Sequence, residues 1–392
     1  MIIDFFQKYL RIDTTFPGAL YHEAGKLFEQ QAQSDGFEFN TVELPSGFPA
    51  FVITYRGSDE SLPALALNHH IDVVPADPSG WDHHPFAGVC ENGLIIGRGT
   101  QDMKGVGFVH YAAMRRMKLQ NVQPKRTIHL LMVPDEERGG FGGVPLLLQT
   151  DFFKSLNIGF VLDEGCASGD EKKLHIHIAE RKAMHVTFTA QGKMGHGSRL
   201  QSQNPNHDLV LFLEKLVSFQ QDQRVLLNNY EAGLLLSTNV TSLTAGVHKD
   251  GAVAINAIPD VAQATVDIRV PPQMKMDEAY NFIQNILKPF STIQMKIEAQ
   301  SNDFYFKVDA HKTSEIYQVL VDAIQAQGLH AEAMVSEGSS DLRFYLAHGI
   351  QGFGFTPFTI KPNIHGVNEA VRVTDLELGC NIIFDVITRF CL

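Results

Sequence analysis

Cysteine, basic charge and long apolar runs are all scarce in this 392-residue sequence. Its four cysteines contain no C-x-x-C pair, so neither a disulfide framework nor a zinc ribbon is indicated and a reducing cytoplasm is favoured. The net charge is −12, which argues against binding to nucleic acid or anionic membranes, since both require concentrated Lys and Arg. No stretch approaches the roughly 18 apolar residues of a membrane span, and residues 1–15 lack the pattern of a secretory signal. We therefore expect a cytoplasmic globular protein that binds neither nucleic acid nor membrane.

The sequence is instead rich in apolar segments that alternate with amphipathic ones. Residues 64–74, 127–134 and 158–164 read as buried strands, and residues 105–120 read as a crossover helix. Continuous apolar strands are typical of a parallel or mixed sheet that is covered on both faces. This pattern predicts an α/β domain.

A different pattern begins near residue 180. Residues 180–299 show the order β-α-β-β-α-β, which is that of a ferredoxin-like sandwich. The tail then returns to helix, strand, loop and helix, which we expect to complete the first sheet. The prediction is a discontinuous α/β domain of residues 1–179 and 300–392, with a largely parallel mixed sheet, and an inserted α+β domain of residues 180–299.

The segment NHHIDVVP places His70 and Asp72 at the end of a predicted strand. Because they are two residues apart, both side chains point to one face, whereas His69 points to the other and reads as structural. A metal-bound imidazole with a supporting carboxylate has this spacing. Taken alone, His-x-Asp is more often a satisfied polar pair.

The segment GRGTQDMKG, residues 97–105, is not a phosphate loop. A dinucleotide fingerprint requires glycine where Asp102 stands, and the Walker pattern is absent. An acid at this position favours a cation over an anion. The alternative, which the segment alone favours, is that Asp102 caps the following helix.

Three further segments carry metal-ligand residue types after a strand or in a glycine-bearing loop. Taken alone, each segment favours the alternative that these are polar residues of a strand end or loop. Neighbours in an extended chain point in different directions, so two adjacent acids can take separate tasks. The candidates are Asp135, Glu136, Glu137, Asp163, Glu164 and His365.

The complete set is more specific than any of its parts. Two histidines and several carboxylates are ligand types of a two-zinc site. In such a site the metals lie about 3.5–4 Å apart and share a water, which they acidify to a pKa of about 7. A free glutamate, with a reference pKa near 4.3, can take the proton from that water and pass it to a leaving amine.

These motifs resemble the zinc-dependent aminoacylase and exopeptidase family, which includes acetylornithine deacetylase, succinyl-diaminopimelate desuccinylase and carboxypeptidase G. The resemblance lies in LNHHIDVVP, in RGTQDMKG, in RTIHLLMVPDEERGG and in FVLDEG, with Trp81, Pro85 and Phe86 between the first two. It extends from about residue 8 to the C-terminus and is strongest with the aminoacylase branch.

The resemblance implies two zinc ions per subunit, although the ligand set also suits Mn²⁺ or Co²⁺. One ion would be bound by His70, Asp102 and Glu164, and the other by Asp102, Glu137 and His365. Asp102 would bridge them. Glu136 would be the general base and acid, and Asp72 would orient His70.

The resemblance also implies a role for the inserted domain. His196, in the segment MGHGSR, would complete the active site of the partner subunit in a homodimer and stabilise an oxyanion. Its alternative is a turn histidine. Asn256, Arg269 and Arg343 match polar positions near the substrate. An arginine fork suits a free α-carboxylate, and we expect this of Arg343 more than of Arg269, whose alternative is a salt-bridged strand residue.

The predicted function is a two-zinc amidohydrolase that cleaves N-acyl-L-amino acids to a carboxylate and a free amino acid. A dipeptidase or carboxypeptidase with the same centre is the alternative, because the loop form HGVNE is common across the wider family. A non-enzymatic protein that binds metal or amino acids is an alternative of another class. The predicted base Glu136 argues against it, since a binder needs no base beside a ligand.

Overall fold

A computed structural model describes residues 3–250, 252–301 and 308–392, which fold into two compact units. Unit 1 is formed within Met1–Ile178, Asp309–Met334 and Ser340–Leu392, and unit 2 within Ala179–Val308 and Val335–Ser339. The sequence predicted changes of domain after residues 179 and 299. The later change falls after residue 308 instead, and a short segment near residue 337 also packs with unit 2.

The helices and strands lie close to the segments that the sequence pattern indicates. The helices are α1 (Ile3–Leu10), α2 (Tyr21–Asp35), α3 (Lys104–Leu119), α4 (Val144–Gln149), α5 (Asp151–Ser155), α6 (Pro205–Leu226), α7 (Met276–Leu287), α8 (Glu315–Ala326), α9 (Leu342–Ala347) and α10 (Val373–Cys391). The strands are β1 (Glu38–Glu43), β2 (Pro49–Tyr55), β3 (Ala64–His70), β4 (Val89–Glu91), β5 (Leu94–Ile96), β6 (Ile128–Val133), β7 (Ile158–Asp163), β8 (Lys173–Glu180), β9 (Lys182–Gln191), β10 (Gly195–His196), β11 (Ser237–Thr244), β12 (His248–Lys249), β13 (Ala252–Val253), β14 (Ala257–Ile258), β15 (Val261–Val270), β16 (Ile293–Gln300), β17 (His330–Ser336), β18 (Gln351–Phe355) and β19 (Ala370–Arg372).

Unit 1 is built on an eight-stranded mixed sheet with the order β1-β2-β6-β3-β7-β18-β8-β17. Its centre is parallel, since β3 pairs in parallel with both β6 and β7, and β18 pairs in parallel with β7. Antiparallel pairs extend it, namely β1 with β2, β2 with β6 and β18 with β8. The predicted α/β fold with a mixed sheet is confirmed.

Alternate residues of the central strands enter two hydrophobic cores. In β3, Leu65 and Leu67 join the core beneath α1, α2, α3 and α10, whereas Ala66 joins the core beneath α4, α5 and α9. In β6, Leu130 joins the first of these cores and Leu131 joins the second. Burial of each such leucine contributes about 1.5–3 kcal/mol. The apolar runs are continuous because both faces of the sheet are covered.

Unit 2 contains a four-stranded antiparallel sheet with the order β11-β15-β9-β16. Helix α6 lies between β9 and β11 in the chain, and α7 between β15 and β16, which gives the predicted β-α-β-β-α-β order. Its core includes Val186 and Phe188 from the sheet, together with Phe212 and Ile283 from the two helices. The ferredoxin-like arrangement is confirmed.

The structure also bears on two expectations drawn from the composition, which concern membrane spans and disulfide bonds. No helix in the described part of the chain is both long and apolar enough to cross a membrane. All four cysteines lie among the described residues, and no disulfide joins them. The cytoplasmic location stays a prediction.

Candidate metal centre

The predicted ligands of unit 1 meet at the carboxyl ends of its parallel strands. His70 is the last residue of β3, Glu164 follows β7, and Glu136 and Glu137 form a 3-10 turn after β6. Because parallel strands end at one edge of the sheet, their terminal side chains converge there. Asp102 joins them from the loop before α3.

Asp102 lies between the two predicted histidine ligands. Its Oδ1 is 3.0 Å from His70 Nε2, and its Oδ2 is 3.2 Å from His365 Nε2. Glu164 Oε1 lies 3.6 Å from the same nitrogen of His70, and Glu137 Oε2 lies 3.2 Å from that of His365. One carboxylate therefore faces two separate ligand groups, which is the arrangement of a bridging ligand.

The tautomer of His70 leaves a lone pair directed at these carboxylates. Its Nδ1 lies 2.9 Å from the main-chain carbonyl of Asp72, which can only accept, so we assign the ring hydrogen to Nδ1. Nε2 then faces Asp102 and Glu164, which are acceptors when ionised. A cation between these groups satisfies all three.

The negative charge of the cluster and the hydrogen bonding of its oxygens also favour the binding of cations. Ligand atoms of His70, Glu136 and Glu164 lie within 4.8 Å of one another, and so do those of His70, Asp102 and Glu137. Glu137 Oε1 is buried and has no hydrogen-bond partner among the described residues. Four carboxylates so close together repel one another unless positive charge lies between them. The donor set of carboxylate oxygen and imidazole suits zinc, and it also suits manganese and cobalt.

Glu136 is buried beside this cluster and contacts Arg343. Burial raises the pKa of Glu136 to about 8, against the opposing charges of His70 and Arg343. Arg343 Nη1 lies 3.6 Å from Glu136 Oε1. Its guanidinium also donates to the carbonyls of Ser340 and, at 2.9 Å, Gly139. Arg343, which we expect to bind a substrate carboxylate, therefore also contacts the turn that contains Glu136.

Asp72 differs from its predicted role. We predicted that its carboxylate orients His70, but the closest contact to that ring is the Asp72 carbonyl, whereas the carboxylate oxygen lies 3.6 Å away. The carboxylate instead accepts the backbone N–H of Glu136 at 3.2 Å and of Glu137 at 3.0 Å. Asp72 thus orients His70 by its main chain and the two glutamates by its side chain.

Asp135 and Asp163 have structural partners. Asp135 adopts a positive φ of 76°, and its carboxylate accepts Gly142 N at 2.7 Å and Arg138 Nη1 at 3.2 Å. It therefore shapes the turn that carries Glu136. Asp163 Oδ1 accepts the side-chain amide of Asn68 at 2.9 Å.

His69 lies on the opposite face of β3, as its spacing predicts. Its Nε2 is 3.3 Å from the hydroxyl of Tyr9, and Phe28 packs against the ring. A Cβ on Gly107 would lie 2.2 Å from the ring, so the close approach of α3 requires glycine there. His69 is a packed core residue.

The helix-cap alternative for Asp102 is wrong. Helix α3 begins at Lys104, and the residue at its N-cap position is Met103. The carboxylate of Asp102 faces the two histidines instead, while its backbone N–H bonds to Glu369.

Sequence reasoning missed several buried polar residues near the centre. Glu369 and Arg98 form a buried ion pair of 2.6 Å beside the loop of Asp102. Asp341 is 1% exposed, and neither of its oxygens has a hydrogen-bond partner among the described residues. The available signal for Glu369 was a charged residue beside an apolar strand, in the segment NEAVRV. A local pattern of this kind does not indicate which distant loop the residue contacts.

The remaining predicted residues lie in unit 2. His196 is exposed in β10, and Asn256 lies beside it, because the Asn256 carbonyl accepts Gly197 N at 2.7 Å. Arg269 makes a two-pronged salt bridge with Asp267, at 2.8 and 3.0 Å. Arg269 is thus a salt-bridged strand residue, which was its alternative, and its contact with a substrate stays a prediction.

Comparisons with known proteins found relatives of similar sequence and of similar fold. Aminoacylase-1 of Mus musculus is 31% identical over 385 residues, which cover 97% of this chain and 93% of that protein. The fold is shared with an M20 family metallo-carboxypeptidase of Sulfolobus solfataricus, with a TM-score of 0.73, 17% identity and 97% of each chain covered. It is also shared with a dinuclear metal-binding peptidase of the M20 family from Bacillus subtilis, with a TM-score of 0.67, 13% identity and 99% and 97% covered.

This cluster of histidines and carboxylates lies in a chain whose sequence is similar to aminoacylase-1 over most of its length. The family model described as peptidase family M20/M25/M40 matches residues 66–389. The chain therefore belongs to peptidase family M20/M25/M40, as its motifs predicted.

Proposed function

We propose that this protein hydrolyses the amide bond of N-acyl-L-amino acids, releasing a carboxylate and a free L-amino acid. The observation that carries the proposal is the place of Glu136, whose carboxylate is only 11% exposed, contacts Arg343 and lies within 4.8 Å of ligand atoms of His70 and Glu164. We assign it the proton and not a metal. The similarity to aminoacylase-1 of Mus musculus, which extends over 97% of this chain, supports the substrate class.

Two divalent cations, which we propose are zinc, would be held by the cluster. His70, Asp102 and Glu164 would bind one, and Asp102, Glu137 and His365 the other. When bound, they supply Lewis-acid polarisation and lower the pKa of water. Manganese or cobalt would be held by the same oxygen and imidazole ligands.

Glu136 would move the proton. Its carboxylate accepts a proton from the attacking water as the new C–O bond forms at the acyl carbon. It then donates that proton to the amide nitrogen as the C–N bond breaks, so that the amine leaves neutral. The contact with Arg343 holds the carboxylate in place without taking its proton, because an arginine stays charged.

His196 would stabilise the oxyanion in the active site of the partner subunit of a homodimer. Its Nδ1 accepts the backbone N–H of Ser198 at 3.2 Å. With Nδ1 as an acceptor, the ring hydrogen lies on Nε2, which can donate to a developing negative charge. Asn256, beside the same loop, and Arg343 stay our candidates for contact with the substrate.

A dipeptidase or carboxypeptidase is the second candidate. It is favoured by the fold shared with the metallo-carboxypeptidase and by the short loop around His365. The two candidates differ in whether the substrate must carry a free amine or a second amino acid, and not in the centre itself.

A substrate panel tests the proposal. Purified protein is assayed on N-acetylmethionine, other N-acyl amino acids and matched dipeptides, after chelation and again with added zinc. We expect zinc-dependent release of the free amino acid from the N-acyl compounds. Hydrolysis confined to dipeptides would overturn the aminoacylase proposal in favour of the second candidate.

A further inference from the structure

Glu369 is a fully buried carboxylate that is surrounded by donors from a single loop. Its Oε2 accepts Arg98 Nη1 at 2.6 Å and the backbone N–H of Gly99 at 3.1 Å. Its Oε1 accepts the backbone N–H groups of Gln101 at 2.7 Å and of Asp102 at 3.2 Å. One side chain therefore fixes the backbone that carries the bridging aspartate.

The same residue connects that loop to the loop of His365. Glu369 lies four positions after His365, and its carbonyl accepts Gly97 N at 2.9 Å. Arg98, held by the Glu369 carboxylate, uses its other terminal nitrogen to donate to the His365 carbonyl at 3.2 Å. The carbonyl of Ala370 accepts Gln101 Nε2 at 2.8 Å. The two loops are thus joined through Glu369 at several points.

A buried carboxylate needs such donors to remain ionised. Because the donors are backbone amides, they keep the loop in one conformation only while the acceptor stays in place. Replacement by an amide would remove the charge and would direct an N–H group at other donors.

We propose that Glu369 is a positioning residue that sets the place of Asp102 relative to His365, and that tight binding of the second cation depends on it. This inference rests on the proposed metal centre. The site of Asp102, Glu137 and His365 takes two of its three ligands from the loops that Glu369 joins. The other site takes only Asp102 from them, since its remaining ligands lie at the ends of β3 and β7.

The chain contains a spectroscopic reporter for this junction. Trp81 is its single tryptophan, and the ring centroid lies 5.3 Å from the guanidinium carbon of Arg98. The next residue, Asp82, exchanges two hydrogen bonds of 2.9 Å with Asn368, next to Glu369. Ordering of the His365 loop by a cation is therefore expected to change the emission of Trp81.

The test is a titration of Zn²⁺ into the full chain after chelation, followed by calorimetry and by Trp81 emission. We compare the wild type with Glu369→Gln and with Glu369→Asp, which keeps the charge on a shorter side chain. Asp375→Asn is the matched control. Asp375 is also buried, and it accepts Thr359 N at 3.0 Å and Arg372 Nε at 2.8 Å, but it holds no metal-ligand loop.

We expect the wild type and Asp375→Asn to bind two zinc ions. Glu369→Gln should bind the first with little change and the second about 10- to 100-fold more weakly, with a reduced change in Trp81 emission. The affinity of Glu369→Asp for the second ion should lie between those of the wild type and Glu369→Gln. If Glu369→Gln does not fold, as judged by circular dichroism, the comparison is made with Glu369→Asp, whose second site should still be weakened.

Unchanged affinity for the second ion in the folded Glu369 variants would overturn the inference. So would an equal loss in Asp375→Asn, because the effect would then follow from losing any buried charge pair. A wild type that binds fewer than two ions would instead refute the proposed metal centre itself. The two failures are thus distinguished by the wild-type titration.

Discussion

The carboxylate of Asp72 accepts the backbone N–H of Glu137 at 3.0 Å. Its other oxygen accepts the neighbouring N–H of Glu136 at 3.2 Å, so one buried side chain holds both residues of the turn. The proposed proton carrier and the proposed metal ligand therefore share one support, although we assign their side chains separate tasks.

Asp72→Asn should disturb both tasks. Asparagine offers one carbonyl oxygen, and its NH₂ group would face a backbone donor, so one amide of the turn loses its acceptor. We expect kcat to fall about 10- to 100-fold, with a smaller change in KM. Asp59→Asn is the control, because Asp59 also accepts a backbone N–H, that of Ser61 at 3.2 Å, but in an exposed turn. A kcat equal to that of the wild type would show that the turn holds its shape without the carboxylate.

Glu136→Gln should separate proton transfer from metal binding. The substitution keeps the shape of the side chain but removes its basicity, so kcat should fall about 10²- to 10⁴-fold while the metal content stays the same. Turnover and metal content are measured on the same preparation. Because Glu136 also lies within 4.8 Å of ligand atoms of His70 and Glu164, loss of metal in the variant would reassign it as a ligand. Near-normal turnover would exclude it as the base.

Periodicity accounts for what the sequence predicted about the centre. His70 and His69 point to opposite faces because β3 is extended, and the ligands after β6 and β7 lie near His70 because parallel strands end at the same edge. The strands themselves were recognisable because both faces of the sheet are buried. These are local rules, and they suffice for residues at strand ends.

Long-range hydrogen bonds explain what the sequence did not reveal. Glu369 and Asp102 are 267 positions apart, and no local pattern indicates that a carboxylate in one loop meets amides in the other. The same applies to Arg343, whose fork suits a ligand carboxylate but meets the carbonyl of Gly139, 204 positions earlier in the chain. Residue type indicated the hydrogen-bonding capacity of these side chains, whereas the tertiary fold chose their partners.

His129 should make the stability of the protein depend on pH. It lies in β6, with Nδ1 2.9 Å from the hydroxyl of Thr54, and burial lowers its pKa from 6.5 to about 4. Between pH 4 and pH 6.5 the unfolded chain binds more protons at His129 than the folded protein does. The free energy of unfolding therefore has its full value above pH 6.5 and decreases as the pH falls toward 4. The loss at a pH of about 5 amounts to ~2 kcal/mol.

His129→Gln should therefore lose less stability on acidification than the wild type. Urea unfolding of the metal-free protein is followed by circular dichroism near neutral pH and again at a pH of about 5. The loss of unfolding free energy on acidification should be ~2 kcal/mol smaller in the variant than in the wild type. His348→Gln replaces an exposed histidine and should keep the wild-type dependence. An equal pH dependence in all three proteins would mean that His129 is protonated in the folded state.

Mixed subunits test whether His196 acts in a shared site. His196→Ala and Glu136→Gln should each be nearly inactive alone. In a mixed dimer, the subunit that keeps Glu136 would receive an intact His196 from its partner, so one site is complete. Each isolated mixed dimer therefore has one complete site out of two, which predicts about half of the wild-type activity per dimer. The activity is measured after mixed dimers have been isolated through two different affinity tags. Isolated mixed dimers without activity would show that His196 serves its own chain or no site at all.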